Sequence, residues 1–160
     1  MSEQHPETKL WEMIGKIRTA MLTTQHGGAL QSRPMSAYPD RAGNRIRFIT
    51  QLNTEKTHEI GEGDAVNLAF ADVGAQTYVS VEGHARVTRD PALQKQMWNA
   101  FAEAWLPQGP EAADVGLIEV TPVQATYWNA PSSKLVQLWQ VGVANITQTP
   151  PSSDVETVKL

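Results

Sequence analysis

The chain has 160 residues, 41% hydrophobic and 19% charged, enough for one domain with a hydrophobic core and too apolar for a disordered chain. Its net charge of -4, with no lysine/arginine cluster, argues against nucleic-acid binding, which draws on many phosphate contacts from one basic face. The absence of cysteine excludes disulfides, zinc–thiolate sites and cysteine nucleophiles. The polar start at Met1 lacks the blocks of a signal peptide and no apolar run reaches bilayer length, so a cytoplasmic protein without a membrane partner is expected.

In chain order, His5-Pro6 followed by Leu10, Met13, Ile14 and Ile17 has helical spacing, with Pro6 suited to the first turn. Residues 20–24 read as a short strand, Gln25-His26-Gly27-Gly28 as a turn and 29–37 as a second strand. A turn around Gly43-Asn44 leads into a strand at 45–51, then a short helix at 53–62. Strands at 65–71 and 77–87 follow. Asp90-Pro91 signals a helix start, with Leu93, Met97 and Phe101 as its apolar stripe and Pro107, Gly109 and Pro110 as its end. Residues 115–121 and 124–129 read as a further hairpin, and 134–146 as a helix through Leu135, Leu138, Trp139 and Gly142. The domain is expected to span 1–146, with 147–160, rich in Pro and Ser, as a flexible tail. The sum is a mainly β fold with flanking helices, a six-stranded antiparallel small barrel.

Two stretches carry chemistry. In Gln31-Ser32-Arg33-Pro34-Met35-Ser36, alternation puts Arg33 and Met35 on one face and Ser32, Pro34 and Ser36 on the other. Pro34 donates no ladder bond, so the sheet is open or at an edge there. A cation and a soft apolar side chain beside an opening suit a flat ligand with an anionic tail; an ordinary edge strand with a solvated arginine fits the same residues. In residues 48–60 a strand runs into a helix capped by Asn53 or Thr54, with Lys56 in its first turn. The helix dipole disfavours a cation there by roughly 0.3–1 kcal/mol unless an anion compensates. A phosphate would do so; a surface pairing of Lys56 with Glu55 or Glu59 is the alternative.

Together these stretches resemble the pyridoxamine 5′-phosphate oxidase-like superfamily, and within it the small general stress proteins. The carriers are Ser32-Arg33-Pro34-Met35, then Phe48-x-Thr50-x-x-x-Thr54-x-Lys56-x-x-Glu59-Ile60, Val66 to Phe70, and Tyr78 to Ala85. Threonine at 54 stands where that family usually has serine and keeps the hydroxyl. The resemblance implies an FMN-binding split barrel that forms a homodimer with flavin in the groove between subunits. Arg33 and Lys56 would hold the FMN phosphate and its approach; Pro34, Met35, Thr50 and Gln51 would lie along the ribityl chain and ring edge. Trp128 would stack on the flavin from the partner subunit, or else pack in the core. Tyr78 and Ser80 face one way and would reach the site across the dimer. Trp98, Trp105 and Trp139 are expected in the core or an interface.

The function expected is a redox-active flavin protein of the general stress class, with FMN, or FAD if the groove admits an adenylate. No side chain stands out as an acid, base or nucleophile, so no catalytic residue is assigned. The four histidines, His5, His26, His58 and His84, lack metal-ligand spacing, and no metal site is expected. Two alternatives stay open: a pyridoxamine or pyridoxine phosphate oxidase, and a flavin-free dimeric module for haem or protein partners. The resemblance argues against the first, because the true oxidases add an arginine-rich C-terminal segment and no arginine follows Asn129 here.

Overall fold

A computed structural model describes residues 4–61, 63–130, 134–148 and 154–160. Helix α1 (Pro6–Ile17) starts on Pro6 and ends where Arg18 turns left-handed and donates its N–H to Ile14 O. Strands β1 (Thr19–His26) and β2 (Ala29–Ser36) form a hairpin, followed by β3 (Tyr38–Asp40) and β4 (Arg45–Gln51). A short helix α2 (Glu55–Glu59) leads to β5 (Asp64–Asp72) and β6 (Thr77–Thr88). Then come α3 (Pro91–Met97), α4 (Ala100–Trp105), β7 (Val115–Asn129), α5 (Lys134–Thr147) and β8 (Asp154–Lys159).

All pairings are antiparallel, in the order β2-β1-β5-β6-β7-β4-β3, with β8 on the half of β7 that β4 leaves free. The sheet curls until β2 comes against β4 without bonding to it. This is the split-barrel arrangement, a curled sheet that stays open. Side chains alternate along the strands and the inward face is apolar: Met35, Ala20, Phe70, Val79 and Tyr127 form one inward row across five strands. Leu22, Leu68, Val81 and Ala125 form the next. Helix α1 buries Leu10, Trp11 and Ile14 against this core. None of the described helices is long and apolar enough to cross a membrane.

The structure corrects five expectations. Among the described residues there are eight strands rather than six. The segments 115–121 and 124–129 are one strand: Val123 bulges out where the β6 register shifts between Glu82 and Gly83, so Pro122 sits opposite a glycine instead of in a turn. A side chain at Gly83 would meet Thr121 O at 2.6 Å, so only glycine lets β6 and β7 close there. The helix expected after Asp90 is two helices, because the Asn99 side chain accepts from Ala102 N and starts α4 afresh. The segment from 147 on is not all a flexible tail: Asp154–Lys159 pairs with β7, Val158 and Leu160 pack on the core, and Lys9 Nζ meets Asp154 Oδ2 at 3.3 Å. Residues 149–153 of that tail lie outside the described residues. Helix α2 is also shorter than expected, since Asn53 turns left-handed (φ 57°) and Thr54 caps it.

On the outer face the register aligns Arg47, Glu119 and Arg86 across β4, β7 and β6. Glu119 is buried; its oxygens accept from Arg47 Nε at 2.8 Å and Arg86 Nη2 at 2.7 Å, with Arg45 Nε at 3.5 Å. Burial works to raise the Glu119 pKa, but the arginine hydrogen bonds outweigh it and hold the carboxyl below its ordinary range. A carboxyl depressed by folding stabilises fully above its unfolded pKa, and that contribution drains away as pH falls through the folded value.

Glu119→Gln is therefore expected to cost about 2 kcal/mol at neutral pH, less than a fully buried pair because exposed Arg86 is screened by water. Urea titrations should show the deficit shrinking as pH drops through the carboxylate range; a deficit constant with pH would contradict the ionic account. Removing residues 154–160 is expected to lower the thermal midpoint and expose the Tyr127 edge of β7, read as faster amide exchange in β7. Unchanged exchange there would mean that β8 adds nothing to the sheet.

Candidate ligand site

The inward register of β2 decides the chemistry of the site. Arg33 pairs with Leu22, whose row is otherwise apolar, so its guanidinium points to the core side and needs a partner. It finds two. Arg33 Nη2 donates to Glu59 Oε2 at 2.8 Å and Nη1 donates to Thr24 Oγ1 at 2.9 Å, while the Thr24 hydroxyl donates to the same Glu59 oxygen at 2.8 Å. Thr24 and Glu59 are buried, and Arg33 is mostly so. The Thr24 hydrogen bond first, then that of Arg33, hold the Glu59 carboxyl below its usual range. Thr24 and Glu59 also line a cavity of about 310 Å³ with Gly27, Gly28 and Val66.

Lys56 stands one turn before Glu59 on α2, half-buried. Glu59 has turned away to Arg33, and no described residue forms an ion pair with Lys56. Burial first, then the like charge of Arg33, push its pKa down. The structure thus brings Arg33 and Lys56 together, but in unequal roles: the first is held by a carboxylate, the second is a cation with no counter-ion among the described residues.

The remaining candidates are placed as follows. Met35 lies inward and packs against the core, and Pro34 is exposed on the outer face of the edge strand, as the alternation implies. Thr50 is buried at the inward end of β4, and its hydroxyl makes only a long bond, 3.4 Å, to Gln51 O. Gln51 is exposed and its amide reaches Asp114 Oδ2 at 3.4 Å. Thr54 Oγ1 donates to Gln51 O at 3.2 Å, and the Thr54 N–H donates to Thr57 Oγ1 at 3.0 Å, so the turn from β4 into α2 is held at both ends.

Trp128 does not join this group within one chain. It lies on the outer face of β7, directly opposite Tyr78, and both rings are about two-fifths exposed. Neither packs in the core, and Ser80 shares their face. Trp105 is 74% exposed on α4, tilted against exposed Phe101, so it is not a core residue either. The side chain of Trp139 lies outside the described residues. Among the described residues no cluster of His, Asp and Glu has the arrangement of a metal site.

Glu59 and Thr24 are the site residues that sequence reasoning missed. Glu59, three residues after Lys56, reads as its surface partner; in the structure it is buried and taken up by Thr24 and Arg33 instead. The usable signal was Arg33 on an inward row, because an arginine there requires a carboxylate from elsewhere.

The comparisons with known proteins agree with this sheet. A family model described as pyridoxamine 5′-phosphate oxidase like matches residues 5–152. Protein bli-3 of Neurospora crassa is 29% identical over 119 residues, 68% of this chain; the match spans only 57% of that protein's length. A structure assigned as general stress protein 26 from Jannaschia sp. CCS1 has a TM-score of 0.79 at 22% identity, covering 96% of this chain and 97% of that one. The general stress FMN/FAD binding protein of Xanthomonas citri has a TM-score of 0.70 at 28% identity, covering 79% and 90%. With the family match running over nearly the whole sequence, this chain belongs to the pyridoxamine 5′-phosphate oxidase-like family.

Proposed function

We propose that this protein is a flavin-binding protein of the general stress class, holding FMN between two copies of the chain. The observation that carries the reading is Lys56, a half-buried cation with no counter-ion among the described residues, beside a second cation, Arg33. A phosphate placed there supplies the missing charge and returns the Lys56 pKa toward its ordinary value. The likeness to the Xanthomonas citri FMN/FAD binding protein supports flavin as the ligand class. Bound FMN would supply the electron transfer; the chain supplies the phosphate cation, an apolar wall at Met35 and the ordered turn at Thr54.

The faces of the sheet support the dimer. Arg33 points inward and the Tyr78–Trp128 pair outward, so one protomer does not present cation and aromatic pair to the same ligand. A second copy would supply the aromatic surface. We assign no catalytic side chain.

Protein purified without added flavin is expected to release FMN, identified by mass; a colourless protein that takes up no flavin overturns the reading. Lys56→Met is expected to weaken FMN by about 10- to 150-fold, the loss of one charge-assisted bond, and to leave riboflavin nearly unaffected. Equal losses for both would put the phosphate elsewhere. Arg33→Met is expected to act differently, lowering the thermal midpoint of the flavin-free protein because it strands the buried Glu59 carboxylate. A midpoint unchanged by Arg33→Met would mean that the ion pair with Glu59 does not hold the edge strand.

A further inference from the structure

We propose that Lys56 is a modification site: in the flavin-free protein its ε-amine takes the acyl group of a small acyl phosphate, and the acylated chain no longer holds FMN. The second half of this proposal rests on the flavin reading above; the first does not. Geometry sets Lys56 apart from the other lysines whose side chains the structure describes. Lys16, Lys95 and Lys159 are exposed, and Lys9 is paired with Asp154 and lies over the Tyr127 ring. Lys56 is half-buried, and no described residue forms an ion pair with it.

Its cationic neighbour is fixed in place. Arg33 Nη2 is bonded at 2.8 Å to Glu59, which follows Lys56 on the same short helix, so the guanidinium is held within a turn of the amine. Two guanidinium nitrogens are committed, one to Glu59 and one to Thr24, and no described residue accepts from the remaining N–H groups. An ammonium in partial shelter beside a guanidinium is opposed by burial first and then by like charge, and the neutral amine by neither. Both effects lower the Lys56 pKa and so raise the share of free amine near neutral pH. Only the free amine has the lone pair that makes a nucleophile.

These two groups match the two halves of an acyl phosphate. The uncommitted N–H groups of Arg33 suit its phosphate oxygens through charge-assisted bonds. The carbonyl carbon lies one bridging oxygen from that phosphorus, so a phosphate held by Arg33 presents the carbon to the neighbouring amine. The nitrogen lone pair attacks the carbonyl carbon, a C–N bond forms and the C–O bond to the phosphate breaks. The bonding pair leaves on inorganic phosphate, which also takes the amine proton; nothing is oxidised or reduced. The resulting amide is neutral and rests beside Arg33 without the like-charge cost of the ammonium. It also leaves a flavin phosphate with Arg33 alone, whose charge Glu59 already balances.

Protein stripped of flavin and incubated with acetyl phosphate is expected to gain acetyl on Lys56 about tenfold faster than on Lys16 or Lys95, followed by peptide mass spectrometry. Added inorganic phosphate is expected to slow Lys56 and leave Lys16 unchanged. Lys56 reacting no faster than the exposed lysines, or phosphate failing to slow it, would overturn the modification site, however tightly the protein holds FMN. The acetylated protein is expected to bind FMN about 10- to 150-fold more weakly and riboflavin almost as before. An unchanged FMN affinity would defeat the second half of the proposal. Saturating FMN is expected to protect Lys56; fast acetylation that FMN does not slow would keep the modification site and remove the flavin phosphate from Lys56. Lys56→Arg retains the charge and offers no amine to acylate. Treated alike, that variant is expected to keep the FMN affinity it had before treatment. An equal loss there would place the effect on another lysine and overturn the proposal.

Discussion

The structure turns on an arginine that faces inward. Strand β2 lies at the end of the sheet with a bonded neighbour on one side only, and Pro34 within it offers no N–H for a second. What fixes this edge beyond its own hairpin is the Arg33 guanidinium, which reaches Glu59 on α2 and Thr24 on β1. Both strands of the hairpin and the more distant α2 are tied at one carboxylate oxygen. The tie also sets the electrostatics of the site: once Glu59 is committed to Arg33, no described residue balances the charge of Lys56 on the same short helix.

The Glu119 cluster shows why an unbalanced charge is not by itself a site. There, Arg45, Arg47 and Arg86 outnumber Glu119 and Asp40, and the excess is again one positive charge. The Arg86 side chain is 55% exposed, however, so water carries the surplus, and the carboxylates are satisfied by direct hydrogen bonds. Around Lys56 the surplus sits on a half-buried group whose charged form is already disfavoured. The same sum of charges costs little on an open face and more beside a second cation in partial shelter. Only the second situation is one that a bound anion would relieve.

Much of this was legible in the sequence because alternation on a strand is local. The opposite faces of Arg33 and Pro34, the shared face of Tyr78 and Ser80, and the helix start at Asp90-Pro91 all follow from residues within one element. The failures involve partners far apart. Pro122 looks like a turn until Gly83 of another strand is seen to accommodate it as a bulge. Asp154–Lys159 looks like a polar end because its only apolar support, the β7 edge and the core around Tyr127, lies elsewhere in the chain. Glu59 looks like a surface residue until Arg33 claims it. In each case composition describes a segment by itself, and the fold is decided by what meets it.

The faces of the sheet also constrain how any ligand that needs both clusters must sit. Met35 and Arg33 belong to inward rows that run on to Tyr127 and Ala125; Trp128, the next residue after Tyr127, is for that reason outward. A strand has no intermediate option, because a shift of one residue would bury Trp128 and expel Tyr127, exchanging a fully packed ring for one that is now two-fifths exposed. The separation of cation and aromatic pair is therefore built into the register of β7 and is not a matter of side-chain rotation. A ligand that binds its anionic end at Lys56 and stacks its ring on Trp128 would have to use two chains. For such a ligand the partner subunit would be part of the binding site, and the exposed outer face of a single chain would be half of it.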